Sequence, residues 1–206
     1  MSEKIYFYPV WLRIWHGLNA LCFLVLIATG ISMQYSDPAY PIIPFDTSVS
    51  LHNVAGVILT FNYLLFLFGN LFSTNRQFYK VRIKGMYSRI KKQFVYYVFG
   101  MFKGEKAPFP INRERKFNPL QKTTYVFAMF IGLPVIFITG WALLYPEFII
   151  ERVFGGSGIF MTDILHVVVA FLLSIFMIIH IYFATIGPSP ASNFKGIVNG
   201  WHETHD

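Results

Sequence analysis

Four long apolar runs, at residues 11–33, 52–72, 120–145 and 163–187, constrain this chain more than any other feature. Each is long enough to cross a bilayer, which takes about 20 mostly apolar residues. The chain of 206 residues is 55% hydrophobic and only 13% charged, with 23 phenylalanines. A soluble domain carries about a quarter charged residues, and too little polar cover is present here to keep such a surface in water. In hydrocarbon the backbone must satisfy its own polar groups, so runs of this length are helices. The predicted fold is an all-α integral membrane protein, a four-transmembrane-helix bundle forming one domain over residues 1–206. The first run is read as a retained helix, because it is long and no small-residue cleavage site follows it.

Charge orients the bundle. Thirteen of the 17 Lys and Arg residues fall between Arg76 and Lys122, in or beside the segment joining runs two and three. Lys4 and Arg13 lie at the start and Lys195 follows the fourth run, whereas the other two loops share only Arg152. Those two loops carry Asp37, Asp46, Glu147, Glu151 and Asp163. The positive-inside rule then expects both termini, the long basic loop 73–119 and the tail 188–206 in the cytoplasm. Topology accounts for the net charge of +7, so no nucleic acid is expected as a partner. Within the loop, "RQFYKVRIKGMYSRIKKQFVYYVFGMFKG" reads as helix-compatible and suited to the membrane surface. Pro108, Pro110 and Pro119 then break any helix before the third run.

Against this background the histidines stand out. Of six, His16, His52, His166 and His180 fall in or at the apolar runs. An ionisable side chain at membrane depth is a functional candidate by default. The topology puts His16 and His180 near the inner face and His52 and His166 near the outer, giving two depth-matched pairs. On the fourth run, His166 and His180 are separated by about 21 Å along a helix axis and return to within roughly 40° of one face. Two facing imidazoles from different helices are what a bis-histidine haem requires. Gly17, Gly30, Gly56, Gly132 and Gly140 are compatible with room for a flat macrocycle, and equally with close helix packing. The single cysteine, Cys22, and the lack of a C-x-x-C-H motif make any haem the non-covalent b type.

The stretches "RIWHGLNALCFLVLIATGISMQ", "LHNVAGVI", "FNPLQKTTYVFAMFIGLPVIFITGWAL" and "LHVVVAFLLSIFMIIHIYFATIG" resemble the bacterial cytochrome b561 and nickel-hydrogenase cytochrome b family. That family includes cytochrome b subunits of formate dehydrogenase, hydrogenase and thiosulfate reductase, and the basic loop is most similar to the last. The resemblance covers nearly the whole chain. It implies two b haems, an outer one on the irons' ligands His52 and His166 and an inner one on His16 and His180, in the bacterial inner membrane. It also implies a quinone site at Asn118, with Gln121 and Lys122 close by. Pro119 and Leu120 depart from the small residues of the formate-dehydrogenase relative there, which bears on the pocket's shape. Asn118 is equally suited to capping the third run.

The expected function is that of an electron-transfer subunit of a respiratory oxidoreductase, working in membrane lipid between the quinone pool and a periplasmic redox partner. That partner would be a multihaem cytochrome c or an iron–sulfur protein, docking on the acidic, cation-poor outer loops. No catalytic domain or catalytic residue is expected. One alternative is a stand-alone cytochrome b561-type carrier. Another is a His-based metal or proton transporter without haem, which is disfavoured because the runs hold no carboxylate except Asp163 at the edge of the fourth. Trp11 and Arg13 are candidates for the neighbourhood of the inner haem or for interfacial anchoring. In the tail, His202 and His205 could share a metal, although a solvated or partner-contacting end is the simpler expectation. Pro188 and Pro190 are expected to stop the fourth helix.

Overall fold

The computed structural model describes residues 3–187 and 189–204. Pro188 and His205 lie outside them. Four helices are long and apolar enough to cross a membrane: Val10–Tyr35, Phe45–Leu71, Pro119–Leu144 and Gly158–Ala184. We label Val10–Tyr35 α1 and Phe45–Leu71 α2. The third span is α4 (Pro119–Phe127) and α5 (Leu133–Leu144), joined by a π-helical turn at Ala128–Gly132. The fourth is α6 (Gly158–Ala184). The π turn has a local cause. Pro134 has no N–H to return to residue 130, and its ring crowds the preceding turn, which widens.

The helices begin earlier than the hydropathy pattern suggests. The second starts at Phe45 and the fourth at Gly158, so His52 and His166 stand inside their helices rather than near the first residue. Asp46, Ser48 and Thr162 are polar and mask these first turns from a hydropathy reading. The helix-compatible stretch of the basic loop forms several short helical pieces. It comprises a 3₁₀ stretch at Thr74–Tyr79, α3 at Met86–Val95, a π turn at Tyr96–Gly100 and a 3₁₀ turn at Met101–Lys103. Ser73 caps the first of these by accepting from the Asn75 N–H.

The chain forms two compact units, one of Val10–Gly69 with Gly132–Ile179, and one of Met1–Pro9, Asn70–Ile131 and His180–Asp206. In the first, the long-helix unit, α1 and α2 are antiparallel, since their partners run in opposite order. A Cβ on Gly69 would come within 2.6 Å of the Trp11 ring. Further along, Trp15 lies 4.5 Å from Phe66, Asn62 donates to the Trp15 carbonyl at 3.1 Å, and Thr29 meets His52 at 2.9 Å. α5 runs against α2 through Phe137 on Tyr63 and Trp141 on Thr60, and against α6 through Thr139 on His166. Trp11 is thus a helix-packing residue. Side chains such as Ile14 (67% exposed), Leu65 (63%), Phe171 (61%) and Ile178 (64%) point away from these contacts. Leaving each in water would forgo about 1.5–3 kcal/mol, and lipid removes that cost.

The second unit gathers both ends of the chain and the basic loop. β1 (Glu3–Tyr6) pairs antiparallel with β4 (Trp201–Thr204), with Ile5 opposite His202. The tail is therefore a paired strand rather than a solvated end, and His202 lies 6.0 Å from the Phe7 ring. Helix α7 (Ser192–Asn199) leads into it through Gly200, whose φ of 93° is the left-handed conformation that ends a helix. The fourth helix ends at Ala184, before Pro188 and Pro190, and Asn193 donates to the Ala184 and Ile186 carbonyls. In the long-helix unit, between the third and fourth spans, β2 (Arg152–Val153) and β3 (Gly156–Ser157) form a hairpin. Its turn residues Phe154 and Gly155 both have positive φ, as a tight two-residue hairpin turn requires.

Lys116 holds the second unit together. Only 4% exposed, it donates to the Phe7 carbonyl at 3.0 Å and to Asn75 Oδ1 at 3.1 Å. Its ammonium also sits 4.6 Å from the centre of the Tyr8 ring. Burial lowers its pKa from 10.5 to about 7. Between those values the unfolded chain binds a proton that the folded chain does not, so this group makes stability rise with pH. The Tyr8 phenol, pushed up to about 12 by burial, opposes this only above its ordinary value of 10.0. The thermal midpoint in detergent is predicted to increase between about pH 7 and pH 10, and this part of the increase to vanish in Lys116→Met.

Candidate functional site

The long-helix unit brings His52 and His166 together. Their ring centres are 6.3 Å apart with planes crossed at 62°. Each ring is held from behind by a threonine of a neighbouring helix. Thr29 Oγ1 lies 2.9 Å from His52 Nδ1, and Thr139 Oγ1 lies 2.9 Å from His166 Nδ1. A glycine follows each threonine, and the approach of the ring is tight enough to require it at Gly140. A Cβ on Gly30 would stand 3.7 Å from His52 Cε1, and one on Gly140 only 3.2 Å from His166 Cε1.

This arrangement fits a metal held between two imidazoles. A metal–imidazole nitrogen bond of about 2 Å on each side, with about 1 Å more from nitrogen to ring centre, spans about 6 Å. With both Nδ1 atoms on threonine hydroxyls, Nε2 is the nitrogen each ring can offer to a metal.

His16 and His180 belong to different units. His180 Nδ1 is hydrogen-bonded to the Tyr125 hydroxyl at 3.1 Å. His16 follows Trp15 on α1, and its ring lies 6.2 Å from the indole. Beside it, Trp15 Nε1 and Asn19 Oδ1 are buried with no hydrogen-bond partner. Buried orphans of this kind are rare and call for a polar partner, so this stretch of α1 suits a group with polar substituents. Of the glycines, Gly56 makes only ordinary contact at 4.0 Å with Leu26, Gly17 faces open space, and Gly132 admits Leu173 at 2.9 Å. Gly132 is thus a packing glycine, whereas Gly30 and Gly140 face the histidines.

Asn118, Gln121 and Lys122 stand at the start of α4 in the second unit. Asn118 is only 6% exposed and caps the helix in a reciprocal capping box with Gln121. Its Oδ1 accepts from the Gln121 N–H at 2.9 Å, and its Nδ2 donates to the Tyr97 hydroxyl at 2.7 Å. Tyr97 packs in turn on Phe183, 4.6 Å away, and burial raises its phenol pKa. Lys122 Nζ donates to the Lys80 carbonyl at 3.4 Å.

The pattern of residues 7–200 matches the family described as prokaryotic cytochrome b561. The chain belongs to that family. It is a cytochrome b, a haem-bearing electron-transport protein of the membrane with four spanning helices. It is 36% identical over 201 residues to a putative cytochrome, YdhU, of Escherichia coli, covering 98% of this chain and 76% of the relative. It is 26% identical to a probable Ni/Fe-hydrogenase B-type cytochrome subunit of Rhodobacter capsulatus, covering 88% of this chain and 74% of the relative. A putative protein-methionine-sulfoxide reductase subunit, YedZ1, of Azospira oryzae is 25% identical over 69% of this chain and 72% of its own length. No solved structure matches the chain.

Four residues of the cytochrome escape a reading based on histidines alone: Thr29, Thr139, Tyr97 and Tyr125. The threonines leave a faint trace, because "TG" at 29–30 is followed by "LH" at 51–52, and "TG" at 139–140 by "LH" at 165–166. The glycine contacts yield a prediction. Gly140→Ala is expected to displace the His166 ring by a few tenths of an ångström and reduce haem retained through purification. Gly30→Ala should retain the wild-type amount, as a haem-to-protein absorbance ratio would show.

Proposed function

We propose that this cytochrome is the di-haem b membrane subunit of a respiratory oxidoreductase, carrying electrons between a periplasmic redox partner and the quinone pool. His52 and His166 hold the outer haem in this reading, and His16 and His180 the inner one. Both termini and the loop 73–119 face the cytoplasm of a bacterial cell, and the four helices cross its inner membrane as one domain. The observation that carries the reading is the meeting of His52 and His166 at 6.3 Å, with their Nδ1 edges turned to threonines. Bound haem b supplies reversible one-electron chemistry at iron. The chain's own work is to orient the four imidazoles and keep water from them with the apolar faces of α1, α2, α5 and α6.

A quinone site at Asn118, Gln121 and Lys122 completes the inner end. Asn118 commits Oδ1 and one amide proton to the protein, and its second amide proton is a donor for a quinone carbonyl. The amide of Gln121 offers further donors. Lys122 contributes positive charge. At the outer end, the loops before α2 and α6 hold Asp37, Glu147 and Glu151, the first turn of α2 adds Asp46, and a hairpin tip presents a fully exposed Phe154. Such a surface suits a docked multihaem cytochrome c or iron–sulfur subunit with basic groups around its exit haem or cluster. Two relatives described as subunits of larger enzymes support the role of a subunit over that of a free-standing carrier.

The test is haem stoichiometry on the detergent-purified chain by pyridine haemochrome. Wild type is expected to carry about two b haems per chain and each of His16→Ala, His52→Ala, His166→Ala and His180→Ala about one. Joint replacement of His52 and His166 should lower the content no further than either alone. Full haem content in both single variants of a pair would overturn that pair.

A further inference from the structure

Thr29 and Thr139 do the same thing on two different helices. Each hydroxyl donates to the carbonyl four residues back, Thr29 to Val25 at 2.8 Å and Thr139 to Val135 at 2.9 Å. A hydroxyl has one proton. With it committed to a helix carbonyl, the oxygen can only accept from the ring nitrogen 2.9 Å away, so that nitrogen must carry hydrogen.

The same unit contains an independent instance of this bonding. Thr60 donates to the Gly56 carbonyl at 2.9 Å and also meets Trp141 Nε1 at 3.2 Å. An indole N–H can only donate, so a threonine bonded back into its own helix is here an acceptor for a ring N–H.

We infer that Thr29 and Thr139 are a matched pair of positioning residues that hold the proton on Nδ1 of His52 and His166, keep both Nε2 lone pairs turned to one iron, and lower the potential of that haem. The inference rests on the proposed ligation by His52 and His166. Its chemical basis is that a ring N–H held by an acceptor makes the opposite nitrogen more electron-rich, which favours ferric over ferrous iron. Because each ring has its own threonine, the two contributions are separable. Gly140 belongs to the same device, since it leaves the space into which the Nδ1–Cε1 edge of the His166 ring is drawn.

The experiment is an equilibrium redox titration of the haem absorbance in the purified full-length chain. The variants are Thr29→Val and Thr139→Val, which keep shape and lose the hydroxyl, and Thr29→Ser and Thr139→Ser, which keep it. Each valine variant is expected to raise the midpoint of one titrating component and leave the other in place. The double valine variant should raise it further, and each serine variant should titrate as wild type. Loss of one haem in a valine variant but not in its serine counterpart would equally assign the role to the hydroxyl. Unchanged midpoints in both valine variants, or equal changes in the valine and serine variants, would overturn the inference. The ligation itself is read separately from haem content in His52→Ala and His166→Ala, so its failure is distinguishable from the failure of the threonine role.

Discussion

Hydrocarbon offers no hydrogen bonds, so every polar group carried into it must find a partner within the chain. The spanning helices of this cytochrome meet that constraint in a consistent way. Thr29, Thr60, Thr139, Thr162 and Ser174 each donate to the carbonyl four residues back and need no partner from lipid. Three of them then use the oxygen as an acceptor toward another helix: Thr29 toward His52, Thr60 toward Trp141 and Thr139 toward His166. These bonds fix α1 to α2, α2 to α5 and α5 to α6. The bundle that shields the histidines is thus tied by the groups that orient them. The stretch around His16 departs from the pattern, because Trp15 Nε1 and Asn19 Oδ1 are buried without a partner.

The second unit solves a different problem, that of keeping a heavily charged loop ordered. It does so in part with aromatic packing around a buried lysine. Lys116 replaces an acidic partner with the Phe7 carbonyl, the Asn75 side chain and the faces of Tyr8, Phe78 and Phe117. A cation over aromatic rings gains up to about 2 kcal/mol when desolvated, which partly offsets its burial. The same lysine ties the N-terminal segment to the loop that precedes α4, next to Asn118. Position at the start of α4 is therefore set by contacts from far along the chain, which a local reading of "FNPLQK" does not contain.

What the sequence revealed and what it hid follow from the range of the forces involved. Helix existence is a matter of solvent and length, and the four spans were legible from hydropathy alone. The starts of the second and fourth were not, because Asp46, Ser48 and Thr162 lie in the early turns of helices that hydropathy trims. The capping role of Asn118 is local chemistry and was readable, as the capping box with Gln121 bears out. The pairing of β1 with β4 joins opposite ends of the chain and has no local trace. The facing of His52 and His166 was anticipated from topology and helical spacing. The threonines behind them were not, since a hydroxyl in a span is usually satisfied by its own helix and draws no notice.

The measurement that tests the account most directly is low-temperature electron paramagnetic resonance of the oxidised, detergent-purified chain with its native haem. Two neutral imidazoles on one iron give a low-spin ferric centre, and rings crossed at 62°, as those of His52 and His166 are, make its g-values strongly anisotropic. The account predicts such a signal, lost in His52→Ala and in His166→Ala while a second low-spin signal persists. A wild-type spectrum dominated by high-spin ferric haem would mean that iron lacks a second protein ligand, and would contradict the claim that these histidines face each other across a haem.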